Sequence, residues 1–437
     1  MPTGRKGRSG GRGPLIAVVA VVSVILVVAV GAGLVWMAVG SGDVELSVAG
    51  GDDEMEIAWT KESKEERLGG GSEPVATYAT WLTGEFVIRA STDGVAAYRV
   101  ADGTPAWTVP VPDGARMCTA ATTASGDRGV IAYGGGRCDR LGVIDLKAGK
   151  LARTMKVPTP KNAGQQPEVT RLVVAGDVAV VDDEGAMTAF GISDGRQRWR
   201  QTDGDCRGDV WAMGDKRLVS DRRCISKRGT FLVTFDPATG KELTETFLGD
   251  RTVVLNVVSH DPVVVVTGPG AGAPIPVVVA LDAAGEKTAE IPAEAAGRDL
   301  QVLGTTSLTS SAAIDQPSMV VHGDTLYAVN KAADPWAMVA FDLTTGKERW
   351  AEKGNQGETK IIRVDDRGVW ALQIGGGEGH LVVTDHKTGE TSVVKEGALT
   401  PAWSSIKSSQ VFEHQGTLVV TPTSREIDAV PSLTVLR

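Results

Sequence analysis

A short sequence pattern recurs along the chain at nearly constant spacing, and this repetition limits the folds open to it. The fullest copy is MVAFDLTTGKERW, from Met338 to Trp350, which reads as an apolar strand, a tight turn closed by a glycine, and a second strand. The first five copies are spaced by 46, 46, 45 and 45 residues, as in a repeat protein. The seven turn glycines are Gly103, Gly149, Gly195, Gly240, Gly285, Gly346 and Gly389.

Each copy is predicted to form a β-hairpin. A glycine at the end of the turn accepts the positive φ that returns the chain into an antiparallel partner, and an aspartate early in the turn can bond its own backbone. The equivalent positions of the motif aspartates therefore indicate turn formation and not acid catalysis. These aspartates are Asp145, Asp236, Asp282, Asp342 and Asp385.

About four strand candidates occupy each repeat of ~45 residues, which is typical of a β-propeller blade. Seven units are complete. An eighth is split, because MEIAWT at Met55 to Thr60 resembles only the last strand of a repeat, whereas QVFEHQGTLVVTP and PSLTVLR near the C-terminus supply only inner strands. The sequence therefore predicts an all-β propeller of eight four-stranded blades, the last closed by an N-terminal strand. Seven blades are the alternative.

The chain before the repeats divides into segments of different composition. We expect residues 1–13 to form a basic cytoplasmic tail, residues 14–40 a transmembrane helix, residues 41–54 a spacer, and residues 55–437 an extracytoplasmic propeller. The predicted localisation is the cell membrane, with a single span.

The prediction of a membrane span rests on one uncharged run from Leu15 to Val39. Its 25 residues suffice to cross a hydrocarbon core of ~30 Å as a helix. Basic residues precede the run and acidic residues follow it, so the positive-inside rule places the N-terminus in the cytoplasm. The alternative is a cleaved signal peptide, because Ala38 and Gly40 are small residues before Ser41.

The charge balance argues against a nucleic-acid partner. The formal net charge is −9, and the first 42 residues contain four basic groups and no carboxylate, so the remainder has 41 basic against 54 acidic groups, or −13. Binding a phosphate backbone requires a basic patch. We expect the acidic surface to keep an exported domain soluble.

The full motif, A-x-D-x-x-T-G-x-x-x-W from Ala340 to Trp350, resembles the repeat of the pyrroloquinoline-quinone (PQQ)-like β-propellers. The copies at Gly103 and Gly195 keep the tryptophan as Trp107 and Trp199. The resemblance covers about residues 55–437 and implies eight blades, with each motif tryptophan docked against the neighbouring blade. Other copies replace the tryptophan by Arg153, Thr244, Ala289 and Val393.

The resemblance implies three possible functions. The family contains quinone-dependent dehydrogenases, non-enzymatic envelope scaffolds and extracytoplasmic sensor domains of membrane proteins. The enzymes hold their quinone against two adjacent cysteines, and no adjacent pair occurs in this chain. The sequence thus favours a protein without a bound cofactor.

Four cysteines in an exported domain predict two disulfides, with three possible connectivities. Cys118 and Cys138 lie 20 residues apart in the second unit, and Cys206 and Cys224 lie 18 apart in the fourth. Each pair falls at a similar place ahead of its turn glycine, which favours two local bridges. Metal binding is disfavoured, because no C-x-x-C motif occurs and the histidines are scattered. The five histidines are His260, His322, His380, His386 and His414.

These observations favour a non-catalytic, membrane-anchored propeller that binds an envelope protein or ligand on one face, as a scaffold or sensor. No catalytic, cofactor-binding or metal-binding residue is predicted. The alternative is a PQQ-dependent oxidoreductase that uses the central funnel. Two segments depart from the repeat and are predicted to carry partner contacts, residues 305–318 and the Gly-rich loop from Gly375 to Gly379.

Overall fold

The structure is a computed structural model, and its described residues form a single ring of β-sheets. The described residues are 54–61, 77–135, 138–158, 169, 171–182, 186–202, 206–212, 215–224, 226–250, 252–269, 275–302, 318–333, 335–352, 357–375, 377–398, 409–414, 416–422 and 433–437.

The sheets follow one another along the chain as blades of antiparallel strands. The first strand, β1 (Ile57–Lys61), belongs to the last blade. Blade 1 consists of β2 (Thr77–Leu82), β3 (Phe86–Ser91), β4 (Gly94–Arg99) and β5 (Pro105–Pro110). A 3₁₀ turn, Pro112–Gly114, leads to blade 2, which consists of β6 (Arg116–Ala120), β7 (Arg128–Gly134), β8 (Arg140–Asp145) and β9 (Lys150–Lys156). Blade 3 consists of β10 (Arg171–Ala175), β11 (Val178–Asp182), β12 (Ala186–Gly191) and β13 (Gln197–Thr202).

Blade 4 differs because two short strands share its first position. They are β14 (Cys206–Arg207) and β15 (Val210–Ala212), and both pair with β16 (Leu218–Cys224), which is followed by β17 (Thr230–Phe235) and β18 (Glu242–Gly249). Blade 5 consists of β19 (Thr252–His260), β20 (Val263–Pro269), β21 (Val277–Leu281) and β22 (Lys287–Pro292). A small hairpin of β23 (Glu294–Ala295) and β24 (Arg298–Asp299) follows.

Three further blades complete the ring. Blade 6 consists of β25 (Met319–His322), β26 (Thr325–Asn330), β27 (Ala337–Asp342) and β28 (Glu348–Ala351). Blade 7 consists of β29 (Glu358–Asp365), β30 (Gly368–Gly375), β31 (Glu378–Thr384) and β32 (Thr391–Ala398). Blade 8 contains β33 (Ser409–His414), β34 (Thr417–Pro422), β35 (Leu433–Leu436) and then β1.

Blade 8 is closed by pairing the two ends of the propeller. β1 runs antiparallel to β35, with Ile57 opposite Leu436 and Lys61 opposite Leu433. The prediction of an eight-bladed all-β propeller is confirmed, and the seven-bladed alternative is wrong. Circular closure removes the exposed sheet edges that an open stack of blades would leave.

The core lies in the gaps between blades. The described part of the chain forms eight apolar clusters, and each joins residues of two neighbouring blades. The cluster that completes the ring packs Val87 and Tyr98 of blade 1 against Val419 and Val435 of blade 8. Both sheet faces are covered in this way, which explains the continuous valine runs of the middle strands.

The motif turns have the geometry that their residues predict. At the fullest copy, Oδ1 of Asp342 accepts hydrogen bonds from the backbone N–H groups of Thr344 and Thr345, both at 2.9 Å. Gly346 N–H then donates to Asp342 O at 2.8 Å. All seven motif glycines have φ between +62° and +87°.

The motif tryptophans lie over the turn glycine of the following blade. Trp199 Nε1–H donates to Pro237 O at 2.8 Å, and a Cβ added to Gly240 would lie 2.6 Å from its ring. Trp350 covers Gly389 in the same way, and Trp107 covers Gly149. Trp59 of β1 covers Gly103, which places the N-terminal strand in the position that follows a motif turn.

The predicted tail, transmembrane helix and most of the spacer lie outside the described residues. Within the described ranges, no helix combines the length and the hydropathy needed to span a membrane.

Candidate functional site

The antiparallel strand order divides the connections between two faces of the ring. Turns from the first to the second strand and from the third to the fourth strand of each blade lie on one face, which includes all motif turns. We call it the turn face. Connections from the second to the third strand and from one blade to the next lie on the opposite face, where both disulfides lie. We call it the disulfide face.

Each disulfide starts from the first strand of its blade. It ends either in the second strand or in the connection that follows the second strand. In blade 2, Cys118 of β6 is bonded to Cys138, between β7 and β8. In blade 4, Cys206 of β14 is bonded to Cys224 of β16, and the two residues are direct partners across the strands. The bridges hold strand ends of blades 2 and 4 on the disulfide face.

A group of charged side chains lies beside the second disulfide, between blades 3 and 4. We call it the charged cluster, and its members are Arg171, Asp182, Asp209, Asp221 and Arg223. Arg171 and Asp182 are partners across β10 and β11. Arg171 Nε lies 3.7 Å from Asp209 Oδ1, and Arg223 Nε lies 3.3 Å from Asp221 Oδ2. The cluster thus links two blades at their inner strands.

Burial distinguishes the members of the charged cluster. The side chain of Asp221 is 3% exposed, whereas those of Asp209 and Arg223 are about half exposed. Desolvation raises the pKa of Asp221 to about 7. The hydrogen bond from Asp209 N–H at 2.6 Å and the positive charge of Arg223 both lower this pKa, but by less than burial raises it. Asp221 therefore exchanges a proton near neutral pH. Exposed groups of both signs surround it, which suits the binding of a charged polypeptide surface.

Aromatic packing supports one arm of the charged cluster. The guanidinium of Arg171 lies 5.0 Å from the ring centroid of Trp211 in β15. Such a cation–π contact restricts the arginine, and the planar guanidinium keeps donors available for a carboxylate.

The turn face uses its carboxylates differently. Hydrogen bonds from Thr344 and Arg349 hold the pKa of Asp342 well below its usual range, and backbone hydrogen bonds lower the pKa of Asp145 and Asp385. A hydrogen bond from Thr239 lowers the pKa of Asp236. These carboxylates are occupied by their own turns and remain ionised, so they are unsuited to acid catalysis.

The structure brings two of the five histidines together and leaves the others apart. The rings of His322 and His386 stack on the turn face with centroids 4.8 Å apart. His386 Nδ1 lies 2.8 Å from the hydroxyl of Tyr327, and its Nε2–H donates to Asp365 O at 2.6 Å. This arrangement joins blade 6 to blade 7. Within the described ranges, no three His, Cys, Asp or Glu side chains converge as a metal site.

The cysteines do not fit the quinone site of the related enzymes. Each cysteine is bonded to a partner 20 or 18 residues away, so neither disulfide joins adjacent residues.

Of the two loops predicted to carry partner contacts, the structure describes mainly the second. Residues 305–318 connect blade 5 to blade 6, and except for Ser318 they lie outside the described residues. Gly375 to Gly379 connects β30 to β31, and all of it except residue 376 is described. Strand order puts this second loop on the same side of the ring as the charged cluster.

Sequence reasoning missed the charged cluster. Part of its signal is present in the sequence, because Asp182 ends the otherwise apolar strand VAVVD, whereas Asp221 lies in a strand with other polar residues. The sequence gives no sign that the members of the charged cluster lie close together, because Arg171 and Asp209 are separated by an entire blade.

The chain matches the family model described as "Outer membrane protein assembly factor BamB" over residues 20–246 and 170–395. Among solved structures, it is similar to the computationally designed Ika8 protein, with 14% identity over 84% of this chain and 97% of that chain and a TM-score of 0.52. No curated protein matches the sequence.

Two natural proteins of known structure are also similar. BamB from Moraxella catarrhalis is 13% identical over 87% of this chain and 97% of that chain, with a TM-score of 0.49. The quinohemoprotein alcohol dehydrogenase ADHIIG from Pseudomonas putida HK5 is 13% identical over 88% of this chain and 76% of that chain, with a TM-score of 0.48. At such identities, likeness to a solved structure concerns the fold alone.

Proposed function

Because this chain belongs to the PQQ-like repeat family whose model is described as outer membrane protein assembly factor BamB, we propose that it is a non-catalytic scaffold of the cell envelope. It binds another protein through the disulfide face. Residues 14–40 anchor it in the membrane, with the propeller on the extracytoplasmic side. The proposed role is to hold a partner, as the family description of an assembly factor suggests.

The observation that carries this proposal is the different use of polar side chains on the two faces. On the turn face, the motif aspartates bond their own turns. On the disulfide face, neither a motif turn nor a motif tryptophan explains the charged cluster. Polar groups that a fold does not need for its own turns are candidates for recognition.

The charged cluster offers a rigid binding surface. The disulfide between Cys206 and Cys224 lies directly beside it, and Arg223 is the residue before the second cysteine. Rigid side chains lose little conformational entropy when a partner binds. Asp209 and Arg223 present opposite charges to solvent, so the surface fits a partner that carries both an acidic and a basic residue.

Charge reversal at the surface of the cluster tests this function. Arg223→Glu should lower the recovery of cross-linked partners from membranes at least fivefold, because it places a third carboxylate beside Asp209 and Asp221. The matched control is Lys216→Glu on the turn face, which also breaks a single ion pair, to Asp261 at 2.9 Å. This control should recover partners as the wild type does.

Two outcomes would contradict the proposed scaffold. Equal loss of partners in Arg223→Glu and Lys216→Glu would show that binding does not use the disulfide face. Turnover of an alcohol by the purified protein with added quinone and calcium would make it an enzyme.

The membrane anchor has a separate test. Protease added to intact cells should remove the propeller and leave the first residues protected, because the basic flank of residues 14–40 orients the span. Recovery of the full-length protein in a soluble cytoplasmic fraction would contradict the anchor.

A further inference from the structure

The outer strand of blade 4 is the least protected sheet edge of the ring. In the part of the chain that the structure describes, β18 pairs only with β17 and forms the outer edge of its sheet. It has eight residues, ELTETFLG, without proline, lysine or arginine. The last strand of every other blade contains at least one of these three residue types, which discourage the addition of another strand.

The same strand exposes large apolar side chains in an alternating pattern. Leu243 is 46% exposed and Phe247 is 50% exposed, and with Glu245 they share one side of the strand. Phe247 lies beside Phe231 of β17, with ring centroids 5.3 Å apart. Phe247 is also the one aromatic residue among the exposed large apolar side chains of the described ranges. The opposite side is used within the ring, since Thr246 Oγ1 donates to Gly285 O of blade 5 at 2.7 Å.

The charges on β18 indicate the kind of partner. Its ionisable residues are Glu242 and Glu245. Arg222 holds both from the blade side, with the nearest oxygens at 2.7 and 3.6 Å. The exposed Lys227 also pairs with Glu245, at 3.1 Å. Arg222 is sheltered while Glu242 is half exposed, so the solvent meets the carboxylate side of the pair.

We propose that β18 docks an extended basic segment of a partner protein, which adds to blade 4 as a fifth strand. Backbone hydrogen bonds to the free edge hold the segment, and apolar side chains cover Leu243 and Phe247. Lysine or arginine side chains of the segment face Glu242 and compete with Lys227 for Glu245. A second copy of this chain fits less well, because it would bring the same carboxylates and the same negative net charge. This docking edge is separate from the disulfide face.

A synthetic probe tests the proposal. The peptide acetyl-TVTKTVK-amide, placed antiparallel from Leu248 to Glu242, sets valine opposite Phe247 and Leu243 and lysine opposite Glu245 and Glu242. Binding of the labelled peptide to the purified full-length protein is measured by fluorescence polarisation. The control peptide TVTETVE has the same strand propensity and opposite charge, and it should bind at least tenfold more weakly.

Variants locate the binding. Phe247→Lys and Leu243→Lys place a charge on the edge and should each weaken the probe at least tenfold. The matched control is Val393→Lys in β32, the outer strand of blade 7, because Val393 is 51% exposed in wild type. Val393→Lys should bind within twofold of wild type. Melting temperatures close to wild type verify that each variant folds.

Several results would overturn the proposal. One is that the wild-type protein shows no saturable binding of the probe. Another is that the wild-type protein and Phe247→Lys bind the probe equally. A concentration-dependent dimer in sedimentation that Phe247→Lys abolishes would assign the edge to a second copy instead. Arg223→Glu should leave the probe affinity unchanged, so a failure of this edge is distinguishable from a failure of the disulfide face.

Discussion

Replacing Trp59 by alanine tests whether β1 closes the ring. Trp59 Nε1–H donates to Val100 O at 2.9 Å, and its ring lies over Gly103 of blade 1. Truncation of a half-buried tryptophan exposes about 100 Å² of apolar surface, about 2.5 kcal/mol, and removes one hydrogen bond of about 1 kcal/mol. The expected loss is therefore about 3.5 kcal/mol.

The corresponding shift in melting temperature follows from the size of the propeller. About 380 residues at ~2.1 cal/mol/K each give an unfolding entropy of about 0.8 kcal/mol/K, so Trp59→Ala should lower the Tm by about 4 °C. Circular dichroism of the full-length protein measures this shift. The control is Val393→Ala, because Val393 occupies the motif tryptophan position of blade 7 and is exposed. It should melt within about 1 °C of wild type. A Trp59→Ala protein that melts like the control would refute closure by β1.

Three further predictions concern packing, pH and the disulfides. Gly389→Ala should lower the free energy of unfolding, measured in urea, by about 2 kcal/mol more than Gly297→Ala does. Both glycines have φ near +72°, but only Gly389 would place a Cβ 2.7 Å from Trp350. Equal losses of unfolding free energy would contradict the tryptophan contact. Since the pKa of Asp221 is raised to about 7, the folded protein holds a proton between pH 4 and 7 that the unfolded chain releases. The free energy of unfolding should therefore fall by up to about 4 kcal/mol as the pH rises from 4 to 7. Asp221→Asn should flatten this part of the stability profile, and an unchanged slope would exclude Asp221 as its source. Peptide mapping without reduction should join the cysteines as two local pairs, each worth about 3 kcal/mol, whereas four free thiols would contradict them. The pairs are Cys118 with Cys138 and Cys206 with Cys224.

The fold could be predicted from the sequence because its determinants are local and repeated. A turn such as that from Asp342 to Gly346 is specified by adjacent residues, and its recurrence at constant spacing specifies the blade. The split blade was also readable, because the Ile-Ala-Trp of β1 repeats the strand that follows a motif turn. The exposed edge at β18 was available in principle, since the absence of proline, lysine and arginine is visible without coordinates.

The site depends on relations between blades, which the sequence does not encode locally. Arg171 meets Asp209 because the first strands of blades 3 and 4 are neighbours in the ring. The positions of His322 and His386 in the sequence give no sign of contact, yet ring geometry stacks them across blades 6 and 7. The division of blade 4's first strand into β14 and β15 was equally unpredictable, because it accompanies the pairing of Cys206 with Cys224 and has no counterpart among the other blades as far as the structure describes them.

We propose that the propeller works by binding a protein on its disulfide face. Photo-cross-linking in intact cells, with a photoreactive residue at Asp209, Arg223 or Lys216 in turn, tests this claim most directly. Positions 209 and 223 should each give one discrete cross-linked product, and position 216 on the turn face should give none. Cross-linking from position 216 alone, or from all three positions equally, would contradict it.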